Sequence, residues 1–195
     1  MTDLAPSAPP VSPPTVSTAL ATFCAGLASD RLAPEVLEKA RLCLYYGLGI
    51  GLSCLDEPTA AVAADAAAAL DGSGASGPAV AWVDGRRLSV GAAAFANAVL
   101  LHARCQEDTS GTAHLGVSVM ASLSALAHSR DISGENFLCG LVAGYEVGGA
   151  LERCLGKTTL GRGLRASPLY GTVAVAAATA RAMALDEMAL GAAIA

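Results

Sequence analysis

The stretch Leu101-His-Ala-Arg-Cys-Gln-Glu-Asp-Thr-Ser-Gly-Thr-Ala-His-Leu115 is polar, whereas most of the chain is rich in alanine and other apolar residues. The segments on either side, 91–103 and 117–129, predict two helices. Loops that rigid helices hold in place are common positions for chemical groups. This loop carries a carboxylate at Asp108, a hydroxyl at Thr109 and an imidazole at His114, which together predict a proton-transfer site.

A structural interpretation of the same residues is open. Asp108 and Thr109 could cap the following helix by accepting hydrogen bonds from its free backbone N–H groups. The two roles do not exclude each other. For His102 and His128, a structural role or a charge at a helix C-terminus is the favoured interpretation.

Working outward from this loop, the chain predicts an all-α helical bundle with at most one small β-hairpin. Besides the two helices already named, apolar periodicity and breaks indicate helices over 17–28, 34–52, 58–70, 133–155, 168–185 and 187–195. Ser133 and Asp186 are expected to cap two of them. Asp84-Gly85 favours a tight hairpin turn between 79–83 and 87–90.

Two expectations concern segments whose sequence is less regular. The helix over 34–52 is expected to face Val36, Leu37, Ala40, Leu44 and Leu48 inward, and the charge-free segment 42–55 is expected to be buried. Residues 156–167 are rich in glycine and basic residues, and they predict a loop.

Residues 1–16 predict a disordered, proline-rich leader, and residues 17–195 a helical domain. The leader lacks the basic and apolar regions of a signal peptide, so a cytoplasmic location is expected. None of the six cysteines forms a CxxC or zinc pattern, and reduced thiols are expected in that compartment.

The composition excludes several classes of function. A net charge of −5 with no basic stripe argues against nucleic-acid binding. No run of about 18 apolar residues suggests a membrane span. Phosphate-binding and dinucleotide-binding motifs are not found, and no set of three convincing metal ligands appears, so neither a cofactor nor a metal is expected.

The polar stretch resembles the signature of the MmgE/PrpD family, in which Ala-His-Ala-Leu-Asp-Phe-Asp-Asp-Thr precedes a short loop and His-Pro-Ser. Two later segments, 132–147 and 163–187, are similar to further motifs of this family. The resemblance covers roughly residues 17–195. It implies the fold of the family's helical domain, in its N-terminal portion only.

The family includes 2-methylcitrate dehydratase, cis-aconitate decarboxylase and iminodisuccinate epimerase. The resemblance therefore implies a cofactor-free lyase or isomerase, or a subunit of one, that transfers a proton next to a carboxylate or carbonyl of a small carboxylated metabolite. His114 would act as acid or base, with Asp108 and Thr109 as positioning groups. The implied substrate-binding residues are Arg165, Cys105, Ser167 and Tyr170, with Arg165 as a carboxylate clamp.

The chain departs from the family pattern at positions that matter for chemistry. Cys105 stands where the family usually has an aspartate, Arg165 where a second histidine is common, and Leu115-Gly116 where it has Pro-Ser. A thiol does not supply a carboxylate charge at neutral pH. These departures favour a second hypothesis, a non-catalytic helical subunit that stabilises a full-length or complementary chain of the family.

Family members are more than twice as long as this chain. The resemblance therefore implies a homo-oligomer or hetero-oligomer, in which a second chain could carry the remaining half of the family fold.

Overall fold

The computed structural model describes residues 14–72 and 76–195. The described part contains eight helices and one two-stranded antiparallel sheet, which confirms the all-α fold with a small hairpin. The elements are α1 Val16–Gly26, α2 Pro34–Ser53, α3 Pro58–Asp71, β1 Ala79–Val80, β2 Arg87–Leu88, α4 Val90–His102, α5 Leu115–Ser129, α6 Gly134–Gly161, α7 Ala166–Ala182 and α8 Glu187–Ile194. Most of the predicted leader lies outside the described residues, and α1 begins one residue before its predicted start.

The helix starts follow local capping rules. The Ser133 hydroxyl accepts a hydrogen bond from the Asn136 N–H at 3.2 Å, and the Asp186 carboxylate accepts one from the Ala189 N–H at 2.8 Å. Pro34 is the first residue of α2, where its missing N–H costs nothing. Both predicted side-chain caps are confirmed.

The core is built around a close approach of α6 and α7. Three glycines of α6 recur at every fourth residue, at Gly140, Gly144 and Gly148, and so lie on one face of the helix. A β-carbon at Gly144 would lie 2.9 Å from the β-carbon of Ala178, and one at Gly148 would lie 2.9 Å from that of Ala174. The two backbones therefore pack too closely for any side chain on this face of α6.

Helix α5 lies in the middle of the bundle. Its residues Leu115, Val119, Met120 and Leu123 are almost completely buried, and it packs against α4, α6 and α7. The loop that joins α4 to α5, residues 103–114, is hydrogen-bonded to Ser167 at the start of α7 and to Glu152 of α6. This α4–α5 loop contains the predicted site.

The predicted loop over 156–167 is wrong for its first half, because α6 continues to Gly161. Gly156 and Thr159 are buried, and the Thr159 hydroxyl is hydrogen-bonded to the Tyr170 hydroxyl of α7. Packing between α6 and α7 thus outweighs the low helix propensity of glycine in this segment. Only residues 162–165 separate the two helices.

The expected burial of segment 42–55 is wrong for one side of α2. Leu42, Tyr45 and Leu52 are 58%, 74% and 71% exposed, and the predicted inward residues Val36 and Leu48 are more than a third exposed.

The fully buried residues of α2 are small. Ala40, Gly47 and Gly51 are buried, and the last two lie against Met120 and Trp82. The predicted inward face is thus confirmed at Ala40 and at Leu44, which packs partly buried against the core, and the glycines seven residues after these two lie on the same face. Across residues 14–72 and 76–195, no helix combines the length and the hydropathy needed to span a bilayer.

Candidate functional site

The α4–α5 loop has a defined conformation that determines where its side chains point. Ser110 and Ala113 exchange two backbone hydrogen bonds, at 2.8 and 3.0 Å, around a turn in which Gly111 has φ +57°. Cys105 has φ +51°, a left-handed conformation that is unfavourable for residues other than glycine. The chain reverses between these points, so residues 102, 107 and 114 meet although they share no helical period.

The first part of the site is a cluster of His102, Glu107 and His114, called here the His–Glu–His cluster. One carboxylate oxygen of Glu107, Oε1, lies 2.7 Å from Nδ1 of His114 and is also hydrogen-bonded to Nδ1 of His102. The two imidazole rings are nearly perpendicular, with centroids 5.5 Å apart. The Glu107 side chain is only 4% exposed, so this carboxylate is deeply buried between the two rings.

The protonation of the cluster follows from its hydrogen bonds. Burial alone would raise the pKa of Glu107, but a backbone hydrogen bond and the two histidines outweigh it and hold the pKa below its usual value. An ionised carboxylate only accepts hydrogen bonds. We therefore assign a proton to Nδ1 of both His102 and His114, which leaves the lone pair of each ring on Nε2.

The second part of the site is the carboxylate of Asp108. The Tyr145 hydroxyl donates to Asp108 Oδ2 at 2.5 Å. Cys43 of α2 lies beside them, and burial and the negative charge of Asp108 raise the pKa of its thiol. Burial and the negative charge of Asp108 raise the pKa of Tyr145 above its usual range, so this hydroxyl keeps its proton. Asp108 thus receives a hydrogen bond from α6.

Asp108 also lies against the first turn of α5. A β-carbon at Gly116 would be 1.9 Å from Asp108 Oδ1, so only glycine leaves room for the carboxylate there. His114 is the N-cap residue of α5 and its side chain makes no capping hydrogen bond, and among the described residues neither Asp108 nor Thr109 accepts a hydrogen bond from a backbone N–H of this helix end. The interpretation of Asp108 and Thr109 as caps of α5 is therefore wrong.

A cavity of about 380 Å³ opens between α2, α6 and the α4–α5 loop. Asp108 and Thr109 line it on the loop side, and Tyr145 lines it on the α6 side. Besides Asp108, its charged wall residues are Lys39 and Arg153, which are cationic, and Glu35 and Glu146, which are anionic. The volume suits a small-molecule ligand.

A comparison with protein families places the chain in a known family. The MmgE/PrpD N-terminal domain matches residues 18–195. The chain belongs to the MmgE/PrpD family. A search of curated proteins finds no match to the chain.

The predicted site residues of this MmgE/PrpD domain fall into separate places. Asp108 and Thr109 line the cavity, whereas His114 is part of the His–Glu–His cluster in the same loop. The Ser167 hydroxyl accepts a hydrogen bond from the His114 N–H at 3.0 Å, which ties the start of α7 to the loop. Ser167 therefore contacts the backbone of the predicted site.

The remaining predicted residues lie at the surface or in the core. Arg165 is the N-cap residue of α7 and is exposed, and its side chain makes no ion pair or hydrogen bond within residues 14–72 and 76–195. Cys105 is exposed, with its sulfur 3.9 Å from Nε2 of His102. Tyr170 is buried between α6 and α7 on Thr159. Their roles in substrate binding stay predictions.

Sequence reasoning missed five residues of the site. His102 was assigned a structural role, and Glu107 was not selected. The structure brings both together with His114, a grouping of three possible metal ligands that the sequence did not indicate. Tyr145, Lys39 and Arg153 were not singled out, although all three line the cavity. Tyr145 was visible as part of the second family motif, whereas nothing local marks the two cations.

Proposed function

We propose that this MmgE/PrpD domain carries acid–base groups of a cofactor-free lyase or isomerase. The reaction would be proton transfer next to a carboxylate or carbonyl of a small carboxylated metabolite. The observation that carries this proposal is the imidazole of His114, held by a buried carboxylate in the same loop whose Asp108 and Thr109 line the cavity. Six free thiols are consistent with the cytoplasm as the proposed compartment.

His114 is the proposed general base, with Glu107 as its positioning residue. Because Nδ1 donates to Glu107, Nε2 presents a lone pair that can take a proton from carbon. The negative charge of Glu107 then stabilises the imidazolium that forms. The His114 side chain is one quarter exposed, so its free edge remains accessible to a substrate.

Cations near the loop are proposed to bind the carboxylate of the substrate. Lys39 and Arg153 line the cavity itself, and Arg165 begins the helix that is hydrogen-bonded to the loop through Ser167. A guanidinium binds a carboxylate through two parallel hydrogen bonds. We assign Arg153 and Lys39 this role beside Arg165, with Thr109 as a further hydrogen-bonding group.

The test is exchange of substrate hydrogen with solvent. The purified protein, alone and with any partner that copurifies, is incubated in D₂O with a panel of small dicarboxylates and tricarboxylates, and NMR follows deuterium at the carbon next to each carboxylate. At least one compound is expected to exchange or to lose water or CO₂. The reaction should be lost in His114→Gln and kept in His128→Gln, because His128 lies exposed at the far end of α5. Equal rates in the two variants would remove His114 from the mechanism.

A non-catalytic subunit is the second candidate, and the exposed apolar residues of α2 favour it. Leu42, Tyr45 and Leu52 together present a large apolar surface to solvent. Such surfaces commonly mark an interface between proteins. In this hypothesis the domain would stabilise another copy or a complementary MmgE/PrpD chain, and no compound of the panel would react in the complex.

Light scattering tests the interface independently of activity. The purified chain is expected to have the mass of an oligomer, and Leu52→Glu is expected to lower it. A monomeric mass for the unmodified chain at all concentrations would contradict self-association.

A further inference from the structure

The His–Glu–His cluster has the composition of a metal site. Two imidazoles and one carboxylate place ligand atoms within 4.8 Å of one another, and nitrogen and carboxylate oxygen are ligands that Zn²⁺ accepts. We propose that His102, Glu107 and His114 form a binding site for a divalent transition-metal ion, with Zn²⁺ as the preferred ion. Two histidines and one glutamate are a ligand set that leaves one coordination position open.

The geometry supports this assignment because the ligand atoms already converge. The Nδ1 atoms of His102 and His114 point at the same oxygen of Glu107. The protons of these two hydrogen bonds therefore occupy the space between the three side chains. In a tetrahedral zinc site with bonds of about 2.1 Å, ligand atoms lie roughly 3.4 Å apart. The His114–Glu107 contact of 2.7 Å would therefore need to widen by about 0.7 Å, and the shorter His102–Glu107 contact by more, which the partly exposed rings of both histidines allow.

An unsatisfied atom gives independent support. Glu107 Oε2 is completely buried and has no hydrogen-bond partner in the described structure. An unpaired buried carboxylate oxygen is costly, because it loses its hydration without compensation. A cation bound to Glu107 Oε1 would compensate for the lost hydration of the whole carboxylate. Oε2 would be stabilised by the charge of the ion or by a second coordination bond.

Access and charge also suit an ion. The side chains of His102 and His114 are 41% and 25% exposed, so solvent reaches the outer edge of the cluster while Glu107 is buried beneath it. With neutral imidazoles the three ligands carry one negative charge. A bound Zn²⁺ would leave one net positive charge and an open position, to which a water or an anionic group could bind.

The metal site and the proposed base exclude each other at His114. Coordination through Nδ1 moves the ring proton to Nε2, and the lone pair that would take a proton is no longer available. Zinc would therefore block the acid–base role of His114. The metal proposal does not rest on the proposed function, since binding requires no substrate.

The first experiment measures zinc binding by competition with a chromophoric chelator. The whole chain, with Cys105→Ser and Cys154→Ser to remove the exposed thiols, is expected to bind one Zn²⁺. Glu107→Gln, His102→Gln and His114→Gln should each weaken binding by more than about 100-fold, beyond the loss typical of outer-shell changes. His128→Gln is the matched control and should bind as tightly as the parent. Binding that survives the Glu107 and His114 substitutions would overturn the proposal.

A second measurement needs no substitution in the cluster and so does not depend on the folding of the variants. NMR of the ¹⁵N-labelled imidazoles reports which ring nitrogen carries the proton. Upon addition of Zn²⁺, the His102 and His114 rings should change from Nδ1–H to Nε2–H, while the His128 ring stays unchanged. Unchanged signals of His102 and His114 in the presence of excess Zn²⁺ would refute the site.

Discussion

Gly144→Ala tests the close approach of α6 and α7. The new β-carbon would lie 2.9 Å from the β-carbon of Ala178 and 2.9 Å from both methyl groups of Val119. Carbon atoms in contact prefer separations of about 3.5 to 4.0 Å. Alanine has no torsion that could move its methyl group, and valine is stiff at χ1, so the strain must be relieved by movement of helices.

Two opposing effects determine the size of the change. Overpacking of a dense core costs about 1 to 3 kcal/mol. Replacing glycine by alanine inside a helix gains about 1 kcal/mol from propensity. The expected net effect of Gly144→Ala is therefore a loss of up to about 2 kcal/mol in the free energy of unfolding.

Gly49 provides the matched control. It lies inside α2 and is exposed, and a β-carbon there would have no neighbour within 4 Å. Gly49→Ala keeps the gain from helix propensity without the overpacking, so it should stabilise the protein by about 1 kcal/mol. The two substitutions are chemically identical and are expected to have effects of opposite sign.

The assay is urea unfolding followed by circular dichroism, with thermal unfolding as a second measurement. Each kcal/mol corresponds to about 2 to 4 °C in Tm for a chain of this size. The parent should unfold at a urea concentration between those of the two variants. If Gly144→Ala were as stabilising as Gly49→Ala, the α6 and α7 backbones would not approach each other as described, and the account of the core would be refuted.

Three further predictions concern the hydrogen bond between Tyr145 and Asp108, the end of α7 and the core. The pKa of Tyr145 is raised above its ordinary value of 10.0, so the stability that its neutral hydroxyl provides is complete below pH 10 and falls as the pH rises above it. The free energy of unfolding, measured from pH 9 to 11, should therefore fall less steeply in Tyr145→Phe than in the parent, by up to about 1.4 kcal/mol per pH unit. Parallel curves for the two proteins would contradict the burial of this hydroxyl. Ala184 has φ +53° directly after α7, and the N–H of the next residue, Leu185, donates to a carbonyl inside the helix. Glycine adopts this left-handed conformation more easily than alanine, so Ala184→Gly should raise the free energy of unfolding in urea by about 1 kcal/mol. A lower free energy of unfolding would exclude this left-handed helix end. Leu123 is 1% exposed, so Leu123→Ala should lower Tm in calorimetry by the equivalent of about 2 to 5 kcal/mol, and a change below about 1 kcal/mol would contradict its place in the core.

Much of the fold could be predicted from the sequence because its signals are local. The caps at Ser133 and Asp186 and the proline at the start of α2 depend on neighbouring residues only. The inward face of α2 was found at Ala40 and Leu44, but its width was overestimated, because Val36 and Leu48 at its edges are more than a third exposed. Gly47 and Gly51 complete the face, and a search for large apolar side chains misses them.

The candidate site shows the same division between local and distant information. Asp108, Thr109 and His114 were found together because they share one loop. Their separation into a cavity wall and a histidine cluster depends on the left-handed residue Cys105 and the turn at Gly111, which set the direction of every side chain between them. The conformation of Cys105 cannot be read from residue type, since Cys rarely adopts positive φ, and Gly111 indicates a turn without determining the direction of its neighbours.

Cys105 bears on the choice between an enzyme and an inactive subunit, and the structure of the loop weakens the argument that it provides for the inactive subunit. Loss of an aspartate at this position was an argument for a decayed site, because a thiol supplies no carboxylate charge. The structure, however, provides a buried carboxylate on both histidines from Glu107, two residues later, while Cys105 itself is exposed. The group that orients His114 and stabilises its protonated form is therefore present without Asp at 105. Cys105 in place of aspartate therefore does not argue against acid–base chemistry at His114. The hypothesis of a non-catalytic subunit is supported instead by Arg165 in place of histidine and by the exposed apolar face of α2.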